Sequence, residues 1–430
     1  MSMDAALKPY LEGFERLPQA QQPWLRALQK DALRRVEIRG FPGPRDEAWK
    51  YSSTAALEKR AFAPSASAMK LDAAALTKFA IPGFESARLV FVNGCYEAGL
   101  SKPPQGLDIK LLSSADAPAL AAPTGWEDDV FLNLNTALAR DGLLLTLAPG
   151  AKLDLPLEML HVSALEAVPA SHHPRLVLRF GKGVQATLVE RYVGIEGTQN
   201  FTNAVTHIEL GAEAKLTHLR MQVEASQAFH VGRVLVNQAA GSRYVSHNLQ
   251  LGAAWSRLDL QTRLEAAGAE AVLRGLYAVN RRQHIDNHTR IDHLVPGTTS
   301  DELYRGILDG QGRAVFDGKV VVAEGAVKTD ARQANHNLIL SRGAEIDTKP
   351  ELEIYADDVK CSHGATIGQL DEQQLFYLRS RGIDAETARG LLIAAFAGAL
   401  LDKLPHPALA DHARQLLASV IRHAALPEHP

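Results

Sequence analysis

Glycines recur through the middle of this chain at steps of about 30 residues, and this repeat limits the possible folds more than any other feature. The first four stand at Gly150, Gly181, Gly211 and Gly241. Short runs rich in β-forming residues lie between the turns, as in Ala271–Val279, and long helical patterns are absent there. A degenerate repeat of this length is typical of a solenoid.

A parallel β-helix explains the repeat in physical terms. One coil cannot bury its inward side chains, whereas stacked coils share a continuous core and pair their backbone groups. Glycine supplies the positive φ that tight corners need. Periodicity alone leaves an antiparallel sandwich or barrel open, because those folds also combine short strands with glycine turns.

Helical patterns flank this region on both sides. Apolar residues have helical spacing in residues 3–13 and 19–39, and Asp371 is placed to cap a helix near the C-terminus. We therefore predict a mainly helical N-terminal domain over residues 1–135, a β-helix core over 136–368 and a helical C-terminal domain over 369–430.

Composition excludes several classes of protein. The chain has 46 basic and 49 acidic residues, and its net charge of −3 gives no general attraction to nucleic acid. The longest apolar run, Leu391–Leu401, is much shorter than the about 20 residues of a membrane span. Only two cysteines occur, Cys95 and Cys361, which favours a reducing compartment over a disulfide framework. We expect a cytoplasmic protein that does not enter the membrane.

Motifs for common catalytic chemistry are missing from the sequence. No GxxxxGK[ST] phosphate loop, HExxH, CxxC or GxSxG occurs. The adjacent Asp357 and Asp358 could serve a carbohydrate-active β-helix enzyme, but neighbouring residues of a strand point to opposite faces, which favours a surface role. We predict that the chain is not an enzyme.

The sharpest small pattern is Cys361-Ser362-His363. In a strand, residues two apart share a face, so the thiol and the imidazole would be neighbours. Both are natural ligands of iron, zinc and iron–sulfur clusters. Two ligands are too few for a closed site, and a buried cysteine often acts as a small hydrophobic residue, so a structural role stays open.

Three further histidines cluster at His284, His288 and His293. Strand alternation places the first two on one face together with Asp286, and His293 falls off that face. A mononuclear zinc site is one interpretation, and a hydrogen-bonded polar ladder along the solenoid is the favoured one.

Several motifs together resemble the SufB/SufD family of iron–sulfur cluster assembly proteins. Residues 351–368 resemble the family signature, and residues 375–383 resemble the start of its C-terminal helices. Residues 47–52, 316–319 and 333–341 fit the same pattern. The resemblance implies a mainly β protein with a right-handed parallel β-helix core between two helical domains.

The resemblance also implies partners. The chain would be a non-catalytic scaffold in a complex with SufB, which it would meet through the β-helices, and with the ATPase SufC. The expected SufC contacts on the C-terminal helices are Leu375, Phe376, Tyr377, Arg379 and Arg381. A homodimer is plausible for the isolated chain.

A transient iron–sulfur cluster in the complex is the implied cargo, and no stably bound cofactor is expected. His363 would be a ligand of the nascent cluster at the SufB interface, with Cys361 as a secondary ligand. The cysteine-poor N-terminal region resembles the SufD branch of the family. The alternative is a SufB-like paralogue that itself acts as the cluster scaffold.

Overall fold

The protein is a parallel β-solenoid of about eight turns with helices before and after it, as a computed structural model shows. The structure describes residues 5–18, 22–60, 62–65, 71–114, 126–140 and 142–421. None of the helices in these residues is long and apolar enough to cross a membrane. The predicted fold class is confirmed, and the predicted domain boundaries stay predictions.

The helices and strands follow one another in a simple order. The helices are α1 (Lys8–Arg16), α2 (Pro23–Arg39), α3 (Ala55–Glu58), α4 (Ala73–Leu76), α5 (Val130–Leu138), α6 (Glu372–Ser380), α7 (Ala385–Leu401) and α8 (Pro407–Val420). The first strands are β1 (Ala63–Pro64), β2 (Ala87–Val92), β3 (Cys95–Tyr96), β4 (Leu107–Leu111), β5 (Gly142–Leu147), β6 (Leu157–Ser163), β7 (Ala170–His172), β8 (Arg175–Phe180), β9 (Gln185–Gly194) and β10 (Asn200–Leu210). The later strands are β11 (Lys215–Val223), β12 (Phe229–Gln238), β13 (Arg243–Gln250), β14 (Trp255–Leu264), β15 (Glu270–Val279), β16 (His284–His293), β17 (Thr299–Leu308), β18 (Arg313–Val322), β19 (Asp330–Ile339), β20 (Glu345–Ile354) and β21 (Lys360–Gly368).

Two long sheets form the walls of the solenoid. Sheet A runs in the order β20-β18-β16-β14-β12-β10-β8-β5-β4, and sheet B in the order β21-β19-β17-β15-β13-β11-β9-β6-β2-β3. Each later coil therefore gives one strand to each sheet. Strands of neighbouring coils are parallel, as a solenoid requires.

Neighbouring coils also pair without a shift of register. Along sheet A, Arg233 pairs with Asp259, Asp259 with His288, His288 with Asp317, and Asp317 with Lys349. Because parallel strands in register place equivalent side chains on the same face, each residue joins a column that runs along the solenoid.

Glycines at the corners serve two different purposes. Gly241 and Gly268 have φ values of 62° and 74°, which is the positive region expected for turns. Gly181 and Gly211 have no such angle, and there the backbones of successive coils approach closely. A Cβ on Gly211 would lie 2.7 Å from the carbonyl carbon of Gly181. For these two corners the expected positive φ is wrong, and close approach explains the residue type.

The flanking helices cover the outer faces of both sheets. Helices α7 and α8 bury Ile393, Leu409 and Leu417 against the apolar outer side of sheet B, where Leu219 and Leu276 lie. Burying one such leucine stabilises a fold by about 2 kcal/mol. The last two helices are therefore part of the core packing.

On sheet A, the N-terminal region provides the cover. Trp49 stacks on Phe131 of α5 with ring centroids 5.2 Å apart, and on Trp255 of β14 at 6.3 Å. The aromatic column Phe201, Phe229 and Trp255 lies in the same cluster.

The two ends of the solenoid differ. At the first coils, β3 pairs antiparallel with β2, and β4 pairs antiparallel with β5. At the other end, β20 and β21 have no neighbour on their outer side within the described residues. Strands β3 and β4 also stand last in their sheets, but they have only two and five residues, whereas β20 and β21 offer edges of ten and nine residues. The longer free edges are therefore at the end of the solenoid, which we call its open end.

Charged residues are also buried inside the solenoid. His218 Nε2 lies 2.9 Å from Glu190 Oε2, and both side chains are almost fully buried. Burial alone would raise the pKa of Glu190, but the hydrogen bond and positive charge of His218 outweigh it and lower that pKa to about 2. Within the described residues Glu302 forms no ion pair, and the charge of Arg274 lowers its pKa less than burial raises it. Gln333 Nε2 donates to this carboxyl at 2.8 Å, and burial raises the pKa of Glu302 to about 7.

Replacement of Glu302 tests this buried carboxyl. The unfolded glutamate ionises near pH 4.3, whereas the folded one stays protonated to about pH 7, so the folded state loses stability as the pH rises through this window. Glu302→Gln removes this pH dependence. The free energy of unfolding of the variant minus that of wild type should therefore be higher at pH 8.5 than at pH 5, by on the order of 1–3 kcal/mol. Urea titrations measure this difference.

Glu372→Gln, on the exposed first turn of α6, is the matched control and should change the free energy of unfolding at pH 8.5 less than Glu302→Gln does. An equal effect of Glu302→Gln at both pH values would contradict the raised pKa.

Candidate functional site

The last coil carries Cys361 and His363 side by side. Both belong to β21, where Cys361 pairs with Ala331 of β19 and His363 pairs with Gln333. Ala331 and Gln333 are buried and line the interior of the solenoid. Because paired positions in register share a face, the thiol and the imidazole extend this interior face into the final coil.

The open end leaves this pair accessible. His363 is exposed, and Cys361 is partly buried because it packs against the edge of the interior core. Burial raises the pKa of the Cys361 thiol. A thiol must lose its proton before it binds a metal. The described residues contain no group of three or more His, Cys, Asp or Glu able to hold a metal ion. Further ligands would have to come from elsewhere.

Unpaired strand edges and apolar side chains surround the pair. Ile367 on β21 is 54% exposed, Ile354 on β20 is 41% exposed, and the following Tyr355 is 62% exposed. A free edge presents unpaired N–H and C=O groups that another strand can pair with. Exposed apolar residues beside such an edge are typical of a binding surface.

Helix α6 carries the residues predicted to bind an ATPase. Asp371 caps the helix by accepting hydrogen bonds from the backbone N–H groups of Gln373 and Gln374. Phe376 and Tyr377 are 74% and 58% exposed. Four residues of the predicted set lie at the surface, namely Phe376, Tyr377, Arg379 and Arg381, whereas Leu375 is buried. The Arg381 guanidinium lies 5.3 Å from the Tyr377 ring centroid.

The histidines of β16 form a polar ladder. Ser52 Oγ donates to Asp286 Oδ2 at 2.5 Å and lies 2.8 Å from His284 Nε2. His288 Nε2 is 3.0 Å from Asp286 Oδ1. His293 turns into the solenoid and contacts the hydroxyl groups of two residues of its own coil, Thr298 and Ser300. The three histidines therefore do not converge on one point.

Asp357 and Asp358 lie on the exposed turn between β20 and β21. The carboxylate of Asp358 forms an ion pair with Lys328 of the preceding coil. This is a surface position, as alternation predicts.

Sequence reasoning did not find the contact between the N-terminal segment and sheet A. The Arg257 guanidinium lies 4.0 Å from the ring centroid of Trp49 and 2.9 Å from Asp286 Oδ2. Asp286 is fully buried, and its pKa lies well below the usual range because neighbouring cations outweigh the effect of burial. The signal in the sequence was the pair of motifs at 47–52 and 316–319, but only the strand register reveals that they share one face.

The fold and this site define a β-solenoid whose open end carries a thiol and an imidazole. Comparison with known proteins agrees with that class. The family model of the SUF system FeS cluster assembly SufBD core domain matches residues 162–396, and the model of the SufBD protein N-terminal region matches residues 4–159. The chain belongs to the SufBD family.

Relatives from distant bacteria are similar over most of the chain. A SufBD family protein for iron–sulfur cluster assembly from Synechocystis is 36% identical, covering 88% of this chain and 87% of its own length. The iron–sulfur cluster assembly protein SufD of Escherichia coli is 35% identical, covering 91% and 90%. A SufBD family protein of Mycobacterium leprae is 32% identical over 60% of this chain and 65% of its own length.

Removal of the Ser52 hydroxyl tests the ladder. Ser52→Ala deprives the buried Asp286 of a hydrogen bond, so it should lower the free energy of unfolding by about 1–3 kcal/mol in urea titrations. The neighbouring Ser53 is exposed and accepts one long hydrogen bond from the backbone of α3, so Ser53→Ala should cost much less. Equal losses in the two variants would show that Ser52 has no special role.

Proposed function

We propose that this chain is a non-catalytic scaffold subunit of a SufBCD complex that assembles iron–sulfur clusters. The observation that carries this role is the pair Cys361 and His363 on the interior face of the last, uncovered coil. A thiol and an imidazole that share a face can hold iron only if another molecule supplies the remaining ligands. A partner that covers the open end would bring such ligands to the pair.

The partner that fits the open end is the SufB solenoid. Pairing would extend both sheets through the free edges of β20 and β21 and would cover the apolar side chains at Ile354, Tyr355 and Ile367. A second copy of this chain could occupy the same edges when SufB is missing, which would give a homodimer. The nascent cluster is cargo in this scheme, and His363 is its principal ligand on this chain.

The ATPase SufC would dock on α6. Phe376 and Tyr377 present a large apolar surface there, beside the cations of Arg379 and Arg381. Aromatic and arginine side chains are enriched among the residues that dominate binding energy. We also propose the cytoplasm as the place of assembly, because the two cysteines form no disulfide with each other and a reducing compartment suits thiol ligands.

The variant His363→Ala tests the ligand role within the assembled complex. It should lower cluster formation, measured by the visible absorption of the anaerobic complex, by roughly tenfold or more. Ser362→Ala is the matched control, since this neighbour points to the opposite face of β21. Co-purification should be unchanged in both variants. If the intact His363→Ala complex formed clusters as the wild type does, His363 would not be a cluster ligand.

The double variant Phe376→Ala with Tyr377→Ala tests the docking of SufC. Loss of two exposed aromatic side chains should weaken SufC binding by roughly tenfold or more, measured by calorimetry, and should leave the thermal unfolding temperature unchanged. Gln373→Ala on the same helix is the control. Deleting the helices would be a poor test, because α7 and α8 cover sheet B. Unaltered SufC affinity in the double variant would place the contact elsewhere.

A further inference from the structure

A groove of about 610 Å³ lies between the N-terminal segment and the outer face of sheet A. Two motifs that the assembly role does not use meet around it. Glu47 and Trp49 come from the first motif, and Asp317 and Lys319 come from the second. Trp126 and several charged side chains of the solenoid strands complete the lining.

The floor of the groove is part of a column in which basic and acidic residue types alternate, and Asp259, His288, Asp317 and Lys349 of this column line it. Arg233, Asp259, His288, Asp317 and Lys349 follow one another in register across five coils. At the start of the column, Arg233 Nη1 contacts Asp259 Oδ2 at 2.9 Å. The same alternation would pair Asp317 with its neighbours if they turned toward it.

Both neighbours of Asp317 make other contacts instead. His288 Nε2 contacts Asp286 at 3.0 Å, and Lys349 Nζ contacts Glu351 at 2.9 Å and Glu47 at 3.2 Å. Within the described residues, no hydrogen bond or ion pair reaches the half-buried Asp317 carboxylate. Burial raises the pKa of Asp317, which means that its surroundings disfavour the bare charge.

The cations around the groove are already matched by carboxylates. Arg39 contacts Asp46 at 2.5 Å, and Lys319 contacts Glu353 at 2.6 Å. Arg290 contacts Asp292 at 2.8 Å. The carboxylates of the groove that form no ion pair within the described residues are Asp128, which is exposed, and Asp317, which is half-buried. The unmatched charge of the groove is therefore negative, and Asp317 carries its half-buried part. Among the described residues, the carboxylates of the groove do not gather into a group of three or more that could hold a metal ion.

We propose that this groove binds an organic cation, whose primary ammonium or guanidinium group pairs with Asp317. Methylene groups of such a ligand would lie against the indole rings that line the groove, and the volume suits a small molecule or one long side chain. The shared chemistry covers a free diamine and the lysine side chain of a peptide. This inference is independent of the assembly role at the open end.

A matched pair of small molecules tests the charge requirement on the full wild-type chain. Cadaverine and pentanediol have the same carbon chain, and only cadaverine carries ammonium groups. Cadaverine should bind at least tenfold more tightly in calorimetry, and added salt should weaken it. A short lysine peptide distinguishes a peptide side chain from a free diamine as the source. Equal binding of the two small molecules, or no binding of cadaverine and the peptide, would overturn the inference.

Removal of the Asp317 carboxylate tests whether this residue binds the cation. Asp317→Asn should lower the cadaverine affinity at least tenfold, whereas Asp357→Asn, an exposed change in the turn after β20, should leave it unchanged. Unchanged affinity in Asp317→Asn would also overturn the inference. If Asp317→Asn does not fold, the comparison of the two small molecules still decides the question.

Discussion

Hydrogen bonding between successive coils, strand upon parallel strand and without a shift of register, is the interaction on which the rest of this structure depends. It turns positions along the chain into columns across coils. The interior column that contains Ala331 continues to Cys361, and the outer column that contains His288 continues to Asp317. A shift by one residue would exchange the inner and outer faces of a strand and remove both features.

Burial of charge follows from the same geometry. The register places Arg257 beside Asp286 beneath the N-terminal segment, and it brings Glu190 and His218, which are diagonal neighbours on adjacent strands, together inside the solenoid. Each such pair is costly to break, because a partner left alone in the interior cannot regain its hydration. Interior polar residues therefore contribute to the choice of register as well as to stability.

The solenoid could be predicted because turn glycines and short strands repeat along the chain, and the shared face of Cys361 and His363 follows from strand alternation alone. The role of each glycine at the corners of the coils was harder to predict. Gly211 looks like any other turn glycine in the sequence, and only the backbone of the neighbouring coil explains it. The burial of Leu375 on α6 and the meeting of residues 47–52 with Asp317 depend on long-range packing, which a single sequence does not encode in any local pattern.

The difference between the two ends limits how such stacks can grow. The edge at the start is short and antiparallel, with two residues in β3 and five in β4, while β20 and β21 present parallel edges of ten and nine residues. A body with a single adhesive end forms a closed pair and then stops, whereas one with two adhesive ends would continue into a filament. Because the small strands at the start offer much less edge for pairing than the long strands at the end, the solenoid favours a closed pair over a filament.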